Sequence, residues 1–249
     1  MEISLAAEKI GHIGAMPITN SMLTSWIATL LLIVLAFVAT RSLKQVPKGI
    51  QNFFELIMEF LINTVNSVID NKEQSKKYLP LVATIFLFII TNNWLGLLPG
   101  IGTIGLHEVH NGKEVFIPLL RSGNADLNTT LALAIIAVIA IQVFGILAIG
   151  AVKYAGKFIN FSSPIMFFVG ILEFISEMSR LISFSFRLFG NVFAGEVLLA
   201  VIAMLLPFVG PLPFYGLELF VGFIQALVFM MLTLVFIKSA ITDHSAEAH

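Results

Sequence analysis

Three ionisable residues lie well inside long apolar stretches of this chain. Arg187 and Glu196 belong to the stretch from residue 164 to residue 206, and Glu218 belongs to the next one. A charged side chain at the centre of a membrane span costs about 2.5–3.5 kcal/mol on insertion scales, so such residues usually face a water-filled cavity or a partner. No cation of the chain is evidently placed to neutralise both Glu196 and Glu218, which favours protonatable, partly hydrated groups. A structural ion pair inside a helix bundle is the alternative.

Arg187 lies on a polar stripe of its helix. At about 100° per residue, the following polar or small residues fall within about 40° of it: Glu173, Ser176, Arg180, Ser183, Asn191 and Ala194. Glu196 lies about 180° away, so we expect no direct ion pair between Arg187 and Glu196. Glu173, Glu177 and Arg180 lie near one end of the stretch, and we expect them to extend to the membrane interface.

The next apolar stretch carries a polar line of its own. Glu218, Gly222 and Gln225 recur at i, i+4 and i+7, which places them on one face of a helix. Small residues occur on both helices and permit a close approach of the two backbones.

The composition excludes an ordinary soluble protein. Of the 249 residues, 58% are hydrophobic and 12% are charged, whereas soluble domains contain about 25% charged residues. The net charge of -1 favours neither nucleic acid nor an acidic partner. The chain has no cysteine, and His107 and His110 lack ligand partners at a fitting spacing, so we expect neither a metal site nor a cofactor.

Five apolar stretches are long enough to cross a bilayer, which takes about 20 helical residues. The predicted spans are residues 22–40, 79–98, 130–152, 164–206 and 212–241. Residues 50–69 have apolar side chains at helical spacing and predict an amphipathic helix on the membrane surface. Residues 1–21 and 101–128 are predicted as polar outer segments, and Asp126 is positioned to cap the third span. We therefore predict a single all-α integral membrane domain.

Basic residues predict the orientation of the chain, because they concentrate on the cytoplasmic side. Nine of the fourteen Lys and Arg residues lie after the first span, before the second, after the third and at the C-terminal end. The opposite side holds only Lys9, Lys113 and Arg121. We therefore predict the N-terminus outside and the C-terminus in the cytoplasm.

The stretch from residue 164 to residue 206 is about twice as long as a span requires. As one helix its 43 residues would measure about 64 Å, against about 30 Å for the hydrocarbon core. No proline follows Pro164 within it. We predict a steeply tilted helix that forms a hairpin with residues 212–241 and follows the outline of a large neighbour.

Residues 187–196, with the sequence RLFGNVFAGE, resemble the signature of subunit a of F-type ATP synthases. Residues 92–99, 126–130 and 225–233 resemble other segments of that family in the same order. By matching position, Arg187 corresponds to the family's essential arginine. The resemblance implies an ion path lined by Asn191, Glu196, Glu218 and Gln225. It also implies a cytoplasmic half-channel bordered by Glu173 and Glu177.

The resemblance implies a non-catalytic stator subunit of the bacterial plasma membrane. Its direct partner is a ring of c-subunits, each with a membrane-buried carboxyl group, and subunit b and the rest of the synthase are further partners. Protons enter from outside through one half-channel and leave to the cytoplasm through another. Arg187, which stays protonated in proteins, would prevent a direct leak between the two. A self-contained ion or solute transporter and a non-conducting scaffold are the alternatives.

Overall fold

The computed structural model describes residues 7–14, 16–41, 44, 49–69, 71–101, 104–110, 113–158, 163–207 and 209–242. The side chains of residues 13, 16, 107–110 and 113–115, which include His107 and His110, lie outside this description. In chain order the elements are β1 (Lys9–Ile13), β2 (Met16–Thr19), α1 (Asn20–Thr40), α2 (Ile50–Val68), α3 (Lys72–Gly96), β3 (Gly105–His110), β4 (Lys113–Pro118), α4 (Leu127–Ile149), α5 (Ala151–Ala155), α6 (Pro164–Leu205) and α7 (Pro211–Ile241).

Five helices of the described chain, namely α1, α3, α4, α6 and α7, are long and apolar enough to cross a membrane. This number and the helical architecture confirm the predicted all-α integral membrane fold. The strands form two antiparallel hairpins, β1–β2 and β3–β4. The second hairpin lies within the segment predicted only as a polar loop, and a short 3₁₀ turn (Gly123–Ala125) follows it.

Polar caps and one glycine set the ends of α3 and α4. The carboxylate of Asp126 accepts a hydrogen bond from the backbone N–H of Asn128 at 3.0 Å, which confirms the predicted cap of α4. Asn71 caps α3 in the same way. α3 therefore begins seven residues before the predicted span, because the polar residues after Asn71 continue the helix. α4 ends before Gly150, whose φ of 92° favours glycine and interrupts a helix.

α6 is a single unbroken helix of 42 residues. Its length is about 63 Å at about 1.5 Å per residue. Ser163 accepts a hydrogen bond from the backbone N–H of Met166 at 3.2 Å, and Pro164 occupies the first turn, where a missing N–H is tolerated. The chain turns back after Leu206 and continues into α7.

The core lies among α3, α4, α6 and α7. Fully buried side chains from each of these helices meet there, including Ile89, Ile141, Leu188 and Leu234. Leu188 is 1% exposed, whereas Arg187, the residue before it, is exposed on the outside of the bundle. α6 therefore turns its apolar face toward the core and the Arg187 side chain away from it.

Candidate functional site

Four of the predicted path residues line one cavity between α6 and α7. Asn191 and Glu196 come from α6, and Glu218 and Gln225 come from α7. The remaining lining residues are Asn93, Gly96, Leu97, Ser122, Val192, Val221 and Gly222. The space open to the centre of a water molecule is about 20 Å³, and one water needs about 10–15 Å³. The cavity can therefore hold water among groups that form hydrogen bonds.

Arg121 forms an ion pair with Glu196 on the wall of this cavity. The Nε atom of Arg121 lies 3.0 Å from Oε2 of Glu196, and the two side chains are 10% and 23% exposed. The backbone of Ser122 lies close to the same carboxylate. The guanidinium also lies over the ring of Phe193, 5.8 Å from its centre. Burial raises the pKa of nearby Glu8, and the positive charge of Arg121 partly opposes that rise.

Glu218 is a buried carboxyl group of a different kind. It is 8% exposed, and no side chain or backbone group in the described part of the chain forms a hydrogen bond or ion pair with it. Its carboxyl group packs directly against Gly195 of α6, where any Cβ atom would overlap it. An ionised carboxylate without a partner is costly to bury, so this group requires a proton or water from the cavity.

A network of amide side chains fixes the backbone of α7 beside Glu218. The side-chain amide of Asn124 donates to Oδ1 of Asn93 at 2.7 Å. Asn93 in turn donates to the backbone carbonyl of Gly222 at 3.0 Å. One turn earlier, Trp94 donates to the carbonyl of Leu219 at 3.2 Å. These bonds connect α7 to α3 and to the 3₁₀ turn, and they hold the cavity wall in place.

Arg187 lies outside the cavity. Its guanidinium donates to the hydroxyl of Ser183 at 3.3 Å, and its backbone carbonyl accepts from the side chain of Asn191 at 3.0 Å. Among the residues that the structure describes, no carboxylate lies within ion-pair distance of Arg187. The polar stripe predicted on α6 thus contributes Ser183 and Asn191 as neighbours of an exposed cation.

Glu173 and Glu177 belong to a second charged cluster near the start of α6. Lys157 lies 2.6 Å from Glu173, and Arg180 lies 2.6 Å from Glu177 and 3.7 Å from Glu173. The Glu177 side chain is 4% exposed, so the expectation that it extends to an interface is wrong. Arg180 covers the ring of Phe236 of α7, 4.4 Å from its centre.

Tyr154 of α5 lies beside the second cluster. Burial, together with the negative charges of Glu177 and Glu173, raises the pKa of Tyr154 to about 12, and the charge of Arg180 acts in the opposite direction. Its hydroxyl donates to the side-chain oxygen of Gln142 at 2.5 Å. This hydrogen bond connects the short helix α5 to α4 at this end of the molecule.

The two charged clusters lie far apart along α6. Glu173 precedes Arg187 by 14 residues and Glu196 follows it by nine, which correspond to about 21 Å and about 14 Å along the helix axis. We call the two ends the Lys157 end and the Arg121 end, after the residues that pair with Glu173 and Glu196. Arg187 therefore lies between two separate polar regions on the same helix.

Sequence reasoning missed Arg121 and Asn93 as part of the site. Arg121 counted only as a cation of the outer loop, and the pair Asn92–Asn93 only as part of a family segment. The available signal was the presence of adjacent amides inside an apolar span, since buried polar groups are usually hydrogen-bonded. No group of three metal-ligating side chains occurs among the described residues.

Comparisons with known proteins agree on one family. The sequence model of the family described as ATP synthase A chain matches residues 22–238. The chain is 40% identical over 226 residues to ATP synthase subunit a of Gloeobacter violaceus, covering 90% of this chain and 85% of that protein. It is 33% identical over 236 residues to ATP synthase subunit a of Moorella thermoacetica, covering 95% and 97%. It is 36% identical over 217 residues to ATP synthase subunit a of Campylobacter jejuni, covering 86% of each chain.

The match extends from the first span almost to the end of the last and includes Arg187, the cavity and both charged clusters. The matched segment is much more than half of the chain. This protein therefore belongs to the ATP synthase A chain family.

Proposed function

We propose that this chain is subunit a of an F-type ATP synthase and that it carries protons to and from the carboxyl groups of a c-subunit ring. The observation that carries the proposal is the arrangement along α6. A cavity containing two carboxyl groups lies toward one end, a charged cluster lies toward the other, and the exposed cation Arg187 lies between them.

The outer half-channel in this proposal is the cavity at the Arg121 end. Asn191, Glu196, Glu218 and Gln225 border it, and Glu218 is the carboxyl group that needs a proton or water to remain buried. A proton that enters there passes to an ionised carboxylate of the ring. The protonated ring carboxyl is neutral and moves through lipid without the cost of a buried charge.

The inner half-channel in this proposal lies at the Lys157 end. Glu173 is about one quarter exposed and lies between two cations, so it suits a proton exit. Glu177 is almost fully buried and paired with Arg180, which favours a supporting role for it. This end faces the cytoplasm, as the distribution of basic residues predicts.

Arg187 separates the two half-channels in this proposal. Arginine keeps its charge at all relevant pH values, so it attracts an ionised ring carboxylate and repels a proton that would pass directly between the channels. The driving energy is about 2.3 kcal/mol per elementary charge per 100 mV. Catalysis of ATP formation would belong to other subunits, and subunit b would bind the surface away from the ring.

The test is proton-driven ATP synthesis by the assembled complex in membrane vesicles. Arg187→Ala should abolish synthesis while the complex still assembles. Arg41→Ala, which removes an exposed cation at the end of α1, is the matched control and should retain synthesis. Full synthesis by Arg187→Ala would refute the proposal. Ion movement by the purified chain alone in liposomes would favour a self-contained transporter instead.

A further inference from the structure

We infer that Arg121 is a positioning residue of the outer half-channel, where it holds the Glu196 carboxyl group in a fixed place on the cavity wall. The inference rests on the proposed function and goes beyond it, because it assigns different roles to the two carboxyl groups in the cavity. Glu196 would be a group held in place by its partner, and Glu218 would be the group that gains and loses the proton.

The first argument is the geometry of the pair. The Nε–Oε2 distance of 3.0 Å joins two side chains that are mostly buried. A charged hydrogen bond of this kind is about twice as strong as a neutral one. The backbone of Ser122 also lies close to the Glu196 carboxylate. With both contacts in place, the carboxylate has little freedom to swing across the cavity.

The second argument is that the segment carrying Arg121 is itself anchored to two other helices. Its backbone N–H donates to the hydroxyl of Thr24 on α1 at 3.2 Å. The hydroxyl of Ser122 donates to the backbone carbonyl of Asn92 on α3 at 3.2 Å. Gly123 packs so closely on Ser25 and Asn92 that a Cβ atom would overlap both side chains. Arg121 is thus presented to Glu196 from a rigid support.

The third argument is the distribution of charge around the cavity. Among the described residues, the charged groups near Glu196 are Arg121, whose charge also acts on Glu8, and Glu218, which lines the same cavity. Of the two carboxyl groups in the cavity, Glu196 forms an ion pair with Arg121, and Glu218 forms none with the described residues. If Arg121 were removed, Glu196 and Glu218 would compete for the same proton, because two nearby carboxylates disfavour each other's ionisation.

The experiment measures ATP-driven proton pumping by the assembled complex in inverted vesicles, divided by ATP hydrolysis and by the amount of assembled subunit. The variants are Arg121→Ala, Arg121→Lys, Glu196→Gln and the double variant Arg121→Ala/Glu196→Gln. Lys9→Ala is the matched control, since it removes an exposed cation from β1. The double variant also removes the unpaired carboxylate, so it is expected to assemble even where Arg121→Ala assembles poorly.

Arg121→Ala should lower pumping per assembled complex by about tenfold or more, because truncating one partner of a buried charge pair leaves the other charge buried and unpaired. Arg121→Lys should recover most of the activity. The double variant should pump about as well as Glu196→Gln alone, since the two residues act through one contact.

Normal pumping per assembled complex in Arg121→Ala, or losses that add in the double variant, would overturn the inference. So would a failure of Arg121→Lys to recover activity. Arg187→Ala is measured in the same vesicles to separate the two hypotheses. Loss of pumping in Arg187→Ala together with normal pumping in Arg121→Ala overturns only the role of Arg121, whereas normal pumping in Arg187→Ala overturns the proposed function.

Discussion

Replacing Gly195 by alanine is expected to displace the carboxyl group of Glu218. Gly195 is buried in α6, and a Cβ atom built on it would overlap Glu218 of α7. Ordinary van der Waals contact begins at 3.4 Å, so the carboxyl group must retreat by roughly 1 Å or more to make room. The added methyl group therefore changes the position of a proposed proton carrier without changing any charge.

The expected change in the stability of Gly195→Ala combines two opposing effects. Alanine favours a helix interior over glycine by about 1 kcal/mol, whereas overpacking typically costs about 1–3 kcal/mol. The net change in stability should therefore be small, between about 0 and 2 kcal/mol. A misplacement of about 1 Å in a reacting group can reduce a rate by about a hundredfold. We expect proton pumping to fall by about ten- to a hundredfold while the complex stays assembled.

The assay is ATP-driven proton pumping in inverted vesicles, with the amount of assembled complex measured in parallel. Gly190→Ala is the matched control, because it makes the same change in the same helix at a site where a Cβ atom meets nothing within 4 Å of this chain. Shortening the carboxylate in Gly195→Ala/Glu218→Asp should restore part of the activity. Pumping by Gly195→Ala within about twofold of Gly190→Ala would refute the steric reasoning, since the expected displacement of Glu218 predicts at least about a tenfold loss.

Two further predictions concern the Lys157 end. Glu177→Gln should lower the free energy of unfolding of the assembled membrane sector by about 2 kcal/mol, which thermal unfolding would detect as a lower unfolding temperature. The loss should be smaller than the roughly 3–5 kcal/mol typical of a broken buried pair, because Arg180 retains Glu173 at 3.7 Å. An equal or larger loss in Glu173→Gln would contradict this. The raised pKa of Tyr154, about 12 against about 10 in an unfolded chain, means that its contribution to stability is complete below about pH 10 and is lost as the pH rises to about 12. Thermal unfolding between pH 9 and 12 should therefore be less pH-dependent in Tyr154→Phe than in the unaltered protein, and identical profiles would exclude this residue as a source of the alkaline loss.

The membrane-spanning architecture could be predicted because its causes are local in sequence. Apolar length alone predicts five spans, and the absence of proline after Pro164 predicts that α6 is unbroken. Helical periodicity also separates Arg187 from Glu196, because two residues nine apart fall on opposite faces of a helix. Apolar length does not predict the start of α3, because the helix begins at Lys72 after the Asn71 cap and includes polar residues that precede the apolar span.

The partners of the buried charges could not be predicted in the same way. Arg121 and Glu196 are 75 residues apart, and Asn93 and Gly222 are 129 apart. Neither pairing leaves a periodic pattern in the sequence. Each depends on how three or four helices pack, which is decided by the whole core. By contrast, the polar line on α7 could be predicted from residue spacing, because Glu218 and Gln225 belong to the same helix.

The continuity of α6 has a mechanical consequence. Mechanically, α6 resembles a beam that is held at two points. One is the Lys157–Glu173 ion pair at 2.6 Å, and the other is the Arg121–Glu196 ion pair at 3.0 Å. The supports are about 35 Å apart along the helix, and Arg187 lies on the unsupported side between them. Under the proposed function, a c-subunit ring that pushed sideways on this surface would load both contacts at once, and the reaction torque would pass into the rest of the bundle. Elastic energy during a rotational step would then be stored in parts more compliant than this beam.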